Sequence, residues 1–296
     1  MRYSQVLAFL AASECGSIRA AARRQRISQP ALSQLIKRLE EELGAPLLDR
    51  SARGVRLTPY GEVLRARGNL IRAEFERAHS DISQLKGGEE GDVSLGLITS
   101  ISMLAAPRAI RQFKRRFSKV RISIVDQFYD TALVALREGR LDFAIGPMSA
   151  NADSRFLNCE LLYQADLVPL VRKGHPKARA RTLAELQDQQ WIVPVDADAV
   201  TMEMFRNQGL AEPVVVRCRS LPAWLPLILE NDAIMMLPRI MLRSPMLRPI
   251  LTALNVADVK REAQYFLFTR ADSALTPAAA ALAKEFRIAV RALERG

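Results

Sequence analysis

The feature that most constrains this chain is a set of short, capped amphipathic helices close to its start. Ser17 is a suitable N-cap for a helix over Ile18–Arg24, and a tight turn follows at Gln25–Ile27. Ser28 then caps a longer helix with one apolar stripe, which Gly44 ends. With the apolar helix that precedes Ser17, the pattern predicts three helices, the last two joined by a tight turn.

A short hairpin is expected directly after these helices. Leu47–Arg50 and Val55–Thr58 read as two extended segments, joined by a turn with a basic tip at Ser51–Gly54. Helix, turn, helix and hairpin together predict a winged helix-turn-helix, in which the last helix enters the major groove of DNA.

The residues that would meet DNA are small, amide-bearing or basic. Glutamine can bond an adenine edge, serine can donate or accept, alanine and proline can touch a thymine methyl, and lysine and arginine suit phosphates. The candidates are Ser28, Gln29, Pro30, Ala31, Ser33, Gln34, Lys37 and Arg38, with Arg53 at the tip of the wing. Each is also a common surface residue, so the hypothesis depends on their combination.

Charge supports a polyanionic partner. The 296-residue chain carries a formal net charge of +11, and residues 1–60 alone hold ten Lys/Arg against five Asp/Glu. Such a balance favours nucleic acid over a membrane surface. With 49% hydrophobic residues the chain can build cores, which excludes wholesale disorder. No apolar run is long enough to span a bilayer and no signal peptide is evident, so we expect a cytoplasmic protein.

Cysteine and histidine offer little for metal or redox chemistry. The chain has three cysteines, which form no CxxC pair, and two histidines. We therefore expect no metal site, no disulfide framework and no cofactor.

A long helix is predicted from Pro59 towards the Gly87-Gly88 pair, so that residues 59–88 form a linker between residues 1–58 and 89–296. Its apolar residues follow a short heptad pattern. They are Leu64, Ile71, Phe75, Ala78, Ile82 and Leu85. This stripe could pack on its own domain or on a second copy, and we favour a homodimer.

Beyond the linker, apolar strands alternate with helices, which predicts an α/β region with mostly parallel sheets covered on both faces. A single helix is expected over Met103–Phe117. The connections suggest lobe I from about 92–162 and 267–296, and lobe II from 163–266, although one large unit remains an alternative.

Two such lobes leave a cleft at the carboxyl ends of their strands, where hydroxyls and free N–H groups would suit a small organic anion. The candidates are Thr99, Ser100, Ser102, Phe128, Tyr129, Gly146, Pro147, Asp196, Thr201, Ser220 and Phe266. Ser102, Thr201 and Ser220 would serve equally well as helix N-caps.

The N-terminal motifs resemble the LysR-type transcriptional regulators. The matching stretches are Ser17–Ala22, Ser28–Ser33, Ile36–Glu40, Leu43-Gly44 and Arg53–Thr58. The resemblance implies a winged helix-turn-helix on double-stranded operator DNA, a dimerising linker helix, often a dimer of dimers, and a two-lobed effector domain similar to periplasmic binding proteins. It also places Gln29, Pro30, Ser33 and Gln34 near base edges, Arg53 in the wing, and the effector at Thr99 and Ser100. Gln34 departs from the family, where arginine is common.

Two other functions compete with this interpretation. An enzyme using the α/β region would need a recognisable motif, and the sequence has no GxSxG, P-loop, GxGxxG or HExxH pattern, so we predict no enzymatic activity. A solute-binding protein is the other alternative. The basic run Arg108–Arg121 is either an exposed charged face or a contact for DNA or RNA polymerase.

Overall fold

A computed structural model of the chain describes residues 1–51, 54–85, 90–126, 129–148, 155–193, 198–218, 220–259 and 261–295. It confirms the predicted winged helix-turn-helix at the N-terminus. The elements are α1 (Tyr3–Cys15), α2 (Ile18–Gln25), α3 (Gln29–Leu43), β1 (Leu48–Ser51) and β2 (Gly54–Leu57).

Caps define the ends of these helices as the sequence requires. The hydroxyls of Ser17 and Ser28 each accept a hydrogen bond at 3.3 Å, from the N–H of Ala20 and of Ala31 respectively. Gly16 and Gly44 take the left-handed conformation that ends α1 and α3. The helices then enclose a small apolar core. It includes Val6, Phe9, Leu10, Leu32, Ile36 and Leu39.

The linker is a single helix, α4 (Pro59–Leu85), and one of its sides is packed on the winged domain. A Cβ atom at Gly68 would lie 3.1 Å from the Val6 Cγ1 atom, so α4 approaches α1 closely at this point. Leu64 packs against the core of the same domain, and Phe75 stacks on Tyr3 with ring centroids 4.3 Å apart. These two residues of the predicted stripe therefore have partners within their own chain.

An ion pair network ties the same helix to α1 and α2. The Glu14 carboxylate lies 2.7 Å from both Arg24 and Arg72. Burial works against ionisation of Glu14, but the hydrogen bonds and charges of Arg72 and Arg24 outweigh it, so the pKa of this carboxyl falls below its usual value.

The rest of the chain forms one mixed sheet with helices on its faces. Its division into two lobes confirms the predicted two-lobed α/β domain. Its elements are β3 (Asp92–Leu97), α5 (Thr99–Leu104), α6 (Ala106–Lys114), β4 (Arg121–Asp126), α7 (Tyr129–Arg137), β5 (Phe143–Pro147), β6 (Leu157–Arg172), β7 (Trp191–Val193), α8 (Asp198–Arg206), β8 (Val215–Arg217), α9 (Leu221–Glu230), β9 (Ile234–Pro238), β10 (Leu251–Ala253), β11 (Arg261–Arg270) and α10 (Pro277–Arg295). Among the described residues the strand order is β4-β3-β5-β11-β6-β9-β7-β8, with β10 beside β6.

Two long strands connect the lobes. β6 and β11 run antiparallel to each other, and their register shifts between Tyr265 and Phe266. Lobe I lies on one side of this shift, with β3 parallel to β4 and β5. Lobe II lies on the other side, with β7 parallel to β8 and β9. The expectation of mostly parallel sheets is therefore wrong at the centre, because β6 and β11 pair antiparallel with each other and with β9, β10 and β5.

The helix predicted over Met103–Phe117 is also wrong as a single element. It is two helices, α5 and α6, which meet at Ala105. Pro107 lies in the first turn of α6, where it has no N–H to continue the hydrogen bonding of a preceding helix.

Each lobe has its own core. Phe113, Phe143 and Phe286 are buried in lobe I. Lobe II is built around Trp191, which is fully buried and meets Phe205 edge to face at 5.3 Å. None of the helices described here combines the length and apolar character needed to cross a membrane.

Candidate nucleic-acid interface and effector cleft

Helix α3 has one buried and one open face. Leu32, Ile36 and Leu39 point into the core of the winged domain. The opposite face carries the predicted DNA-binding residues. Ser28, Gln29, Pro30, Ala31, Gln34, Lys37 and Arg38 are exposed, and Ser33 is half-buried. The helix therefore presents hydrogen-bonding and basic side chains to solvent from a rigid support.

The electrostatics of this face suit DNA. The N-terminus of α3 places a positive dipole end beside Ser28 and Gln29. Lys37 has only a loose, exposed contact with Glu41, at 3.7 Å, which leaves its charge available. Arg53 lies outside the described residues.

One residue that the sequence analysis missed fixes the wing to α3. The Glu40 carboxylate accepts hydrogen bonds from the backbone N–H groups of Leu47 and Leu48, at 2.8 and 3.2 Å. This contact sets where β1 begins relative to the recognition helix. The available signal was weak, because Glu40 is one of three consecutive glutamates and differs from the others only in following the buried Leu39 directly.

In lobe I the sheet brings several of the predicted cleft residues together. Thr99 and Ser100 begin α5, directly after β3, and Gly146 and Pro147 end the neighbouring strand β5. Phe266 pairs with Gly146 across β5 and β11. Three segments that are distant in sequence thus meet at one end of lobe I.

The remaining predicted cleft residues do not have the positions that the sequence suggested, or lie outside the described residues. Ser102 lies inside α5 and Thr201 inside α8, so neither is the N-cap that the sequence allowed. Ser220 occupies the N-cap position of α9, but its side chain makes no capping hydrogen bond. Phe128 and Asp196 fall outside the described residues, as does the side chain of Tyr129.

A pair of tyrosines beside this site was missed. Tyr163 and Tyr265, on the crossing strands, are buried and stacked at 4.6 Å. Burial raises the pKa of Tyr265 far above its usual value, with Tyr163 adding to the shift and the Ser100 hydroxyl opposing it, so Tyr265 offers a neutral hydroxyl. Burial also raises the pKa of Asp126 at the end of β4, against a hydrogen bond from Thr99.

The basic run lies on α6 and the turn after it. Arg108, Arg111, Arg115, Arg116 and Lys119 are exposed. Arg121 is paired with Asp92 at 2.6 Å, and Lys114 donates to the Ser118 and Val120 carbonyls. Within the part of the chain that the structure describes, Arg108, Arg111 and Arg115 have no ion pair. Nor do the described residues contain a group of three acidic, histidine or cysteine side chains placed to hold a metal.

A helix-turn-helix with an open polar face that carries Lys37 and Arg38, joined through a long helix to a two-lobed α/β domain, defines a DNA-binding protein with a ligand-binding module. Comparison with known proteins assigns the chain to the same class. A family model described as "Bacterial regulatory helix-turn-helix protein, lysR family" matches residues 3–62, and one described as "LysR substrate binding domain" matches residues 86–291. The chain belongs to the LysR family of transcriptional regulators, which confirms the resemblance drawn from its sequence.

Individual relatives agree. The transcriptional regulator TdcA of Escherichia coli (strain K12) is 30% identical over 226 residues, which cover 75% of this chain and 72% of that protein. The crystal structure of CbnR, a LysR family transcriptional regulator, superposes with a TM-score of 0.68 at 20% identity, covering 98% of this chain and 99% of that one. Full-length CbnR complexed with its target DNA has a TM-score of 0.53 at 22% identity, covering 98% of this chain and 100% of that one. These relatives are regulators, so the enzyme and solute-binding alternatives are set aside.

Proposed function

We propose that this transcriptional regulator reads operator DNA with the exposed face of α3 and changes its DNA binding when a small organic anion occupies the cleft between its lobes. The observation that carries the proposal is the two-sided character of α3, with an apolar face in the core and, open to solvent, a polar face that carries Lys37 and Arg38. Gln29, Pro30, Ser33 and Gln34 are assigned to base edges, Lys37 and Arg38 to phosphates, and Arg53 to the wing contact.

Two substitutions separate base reading from phosphate binding. Gln29→Ala should weaken binding to the cognate site by about 1–3 kcal/mol and leave binding to random DNA unchanged. Lys37→Ala should weaken both, and should reduce the slope of log affinity against log salt by about 1. Fluorescence anisotropy on a fragment selected from genomic DNA by the wild-type chain, and on a scrambled fragment, measures both effects. An equal loss for Gln29→Ala on the two fragments would show that Gln29 does not read sequence.

The cleft proposal is supported by the hydroxyls and strand ends that lobe I brings together. Thr99 and Ser100 supply hydrogen-bond donors next to Gly146 and Pro147, while Ser102, Thr201, Ser220 and Phe266 are retained as further candidates, together with Phe128, Tyr129 and Asp196. A panel of small carboxylates, assayed by their effect on operator affinity, tests the anion assignment.

We also assign a homodimer, and through it a dimer of dimers, to the linker helix. The support is an open stripe on α4, defined here as Ile71, Ala78 and Ile82, all exposed in the single chain. The proposed division is 1–58 for DNA binding, 59–88 for the linker and 89–296 for the effector domain, which the bounds of α4 and the register shift at Tyr265 support. Binding of chromosomal DNA requires a cytoplasmic location.

RNA polymerase is a further proposed partner, and the exposed face of α6 is its assigned contact. Arg111→Ala with Arg115→Ala should leave operator affinity unchanged and lower transcription by purified RNA polymerase from the regulated promoter several-fold. The matched control, Lys173→Ala with Arg179→Ala, removes two exposed charges from lobe II. Equal transcription from both double variants would contradict the assignment.

A further inference from the structure

Lobe I is held against the linker helix of its own chain by a compact charged and steric contact. On α4, Glu74 and Arg77 pair with each other at 2.7 Å. Glu74 also accepts from Arg270 at 2.8 Å, and Arg77 lies 3.5 Å from Asp142. We name this set of four residues, together with Ala73 and Gly139, the latch.

Three of the four charged side chains of the latch are buried, and the fourth, Glu74, is 48% exposed. The side chains of Arg77, Asp142 and Arg270 are only 11%, 12% and 8% exposed. Asp142 is fixed from a second side, since its other oxygen accepts from the Ser94 N–H at 2.8 Å. Without the Glu74 charge, Arg270 would keep Asp272 and Arg77 would keep Asp142 as ion partners, but lobe I would lose its ion pair between Arg270 and α4, so Glu74 favours one position of lobe I.

Steric fit adds to the charges. Gly139 has a positive φ of 69°, and a Cβ atom there would lie 2.6 Å from the Cβ of Ala73. Backbone therefore touches side chain at this point, with no room for a larger residue on either element. This close contact favours one position of the turn before β5 along α4.

The latch and the cleft lie at opposite ends of the same strands. Ser94 is near the start of β3, which leads to Thr99 and Ser100. Asp142 precedes β5, which ends at Gly146 and Pro147, about 16 Å away for a five-residue strand. Arg270 ends β11, which passes through Phe266.

We propose that the latch is the joint through which occupancy of the cleft repositions the DNA-binding domain. The inference rests on the proposed function in taking the cleft as the effector site. Three paired strands move as a unit, because their ladder and core fix them to one another, so a shift at the cleft end reaches the latch end. The latch then has two states, seated or released, which bias the angle between lobe I and α4.

The test uses full-length chain with variants on α4, because replacing Arg270 would also break its bond to Asp272 inside lobe I. Ala73→Leu removes the steric fit, and Glu74→Gln removes the charge while keeping the shape. Glu76→Gln is the matched control, because Glu76 is exposed on the same helix and forms no ion pair with a described residue. Spin labels at Ser4→Cys and the exposed native Cys159, with Cys15 and Cys218 replaced by alanine, report the intrachain distance when labelled chains are diluted with unlabelled ones.

We expect a narrow distance distribution for the parent and Glu76→Gln, and a broad one for Ala73→Leu and Glu74→Gln. The two latch variants should also change affinity for a genomic fragment selected by the parent by about tenfold or more, and Glu76→Gln should not. If the distance distribution is unchanged in both latch variants, the latch does not hold lobe I against α4. If the distribution broadens but DNA affinity is unchanged, the latch does not couple the cleft to the DNA-binding domain. A parent chain that binds no DNA fragment selectively would instead count against the proposed function, and the distance result would still stand.

Discussion

Gly61→Ala should unfold or displace the winged domain while the effector domain stays folded. A Cβ atom at position 61 would lie 2.1 Å from the carbonyl oxygen of Leu47, and that oxygen already accepts from the N–H of Thr58. Neither partner is a flexible side chain, so α4 or the start of the wing must move. Overpacking of this kind costs about 3 kcal/mol, more than the ~1 kcal/mol that alanine gains over glycine in a helix.

Hydrogen exchange during urea unfolding measures this effect region by region. Amides of residues 1–58 should lose protection at lower urea in Gly61→Ala, and those of lobe II should not change. Gly68→Ala is the control, because its Cβ would meet side chains and no backbone carbonyl, with Val6 Cγ1 at 3.1 Å and Leu10 Cδ2 at 3.3 Å. Equal protection in Gly61→Ala and the parent would show that the close approach of α4 to Leu47 is not rigid.

Ile71→Asp with Ile82→Asp should dissociate the proposed homodimer. Both side chains lie on the open stripe, at 39% and 55% exposure in the single chain, and neither belongs to a buried core of that chain. Burying such a side chain is worth roughly 1.5 kcal/mol or more, and a symmetric dimer buries each one twice. The dimer dissociation constant should therefore rise by at least about a hundredfold.

Sedimentation velocity over a range of concentrations measures the dissociation constant. The same variant should lose most of its affinity for a two-half-site operator and keep its affinity for a single half-site. Val134→Asp serves as the control, because Val134 is an exposed valine on α7, far from the stripe in sequence. A double variant that sediments as the parent does would place the dimer contact elsewhere.

The N-terminal fold could be predicted because its information is local. Ser17, Gly16, Ser28 and Gly44 each mark a helix end within one or two residues of where it occurs. The break between α5 and α6 was equally local, and Pro107 signalled it, yet the continuous apolar pattern outweighed it. The antiparallel centre could not be foreseen, because the length of β6 and its pairing with β11 depend on strands about a hundred residues apart.

The candidate sites, too, could be predicted only where the information is local in the sequence. The open face of α3 follows from periodicity, since the buried positions are spaced as one helical face. Tyr163 and Tyr265 read as ordinary core aromatics, and only the pairing of the crossing strands brings them beside Ser100. The latch had no sequence signature at all, because Glu74, Asp142 and Arg270 come from three distant segments.

The two crossings between the lobes make lobe II an insertion within lobe I. Lobe I is completed only by the last strand and α10, whose Ala278, Leu282 and Phe286 fill its core. Early termination within lobe II would therefore leave lobe I open as well, and no simple truncation from the C-terminus yields a folded half. Separating the lobes genetically requires excision of lobe II with the cut ends of β6 and β11 rejoined, so that the parts of lobe I before and after lobe II can fold together.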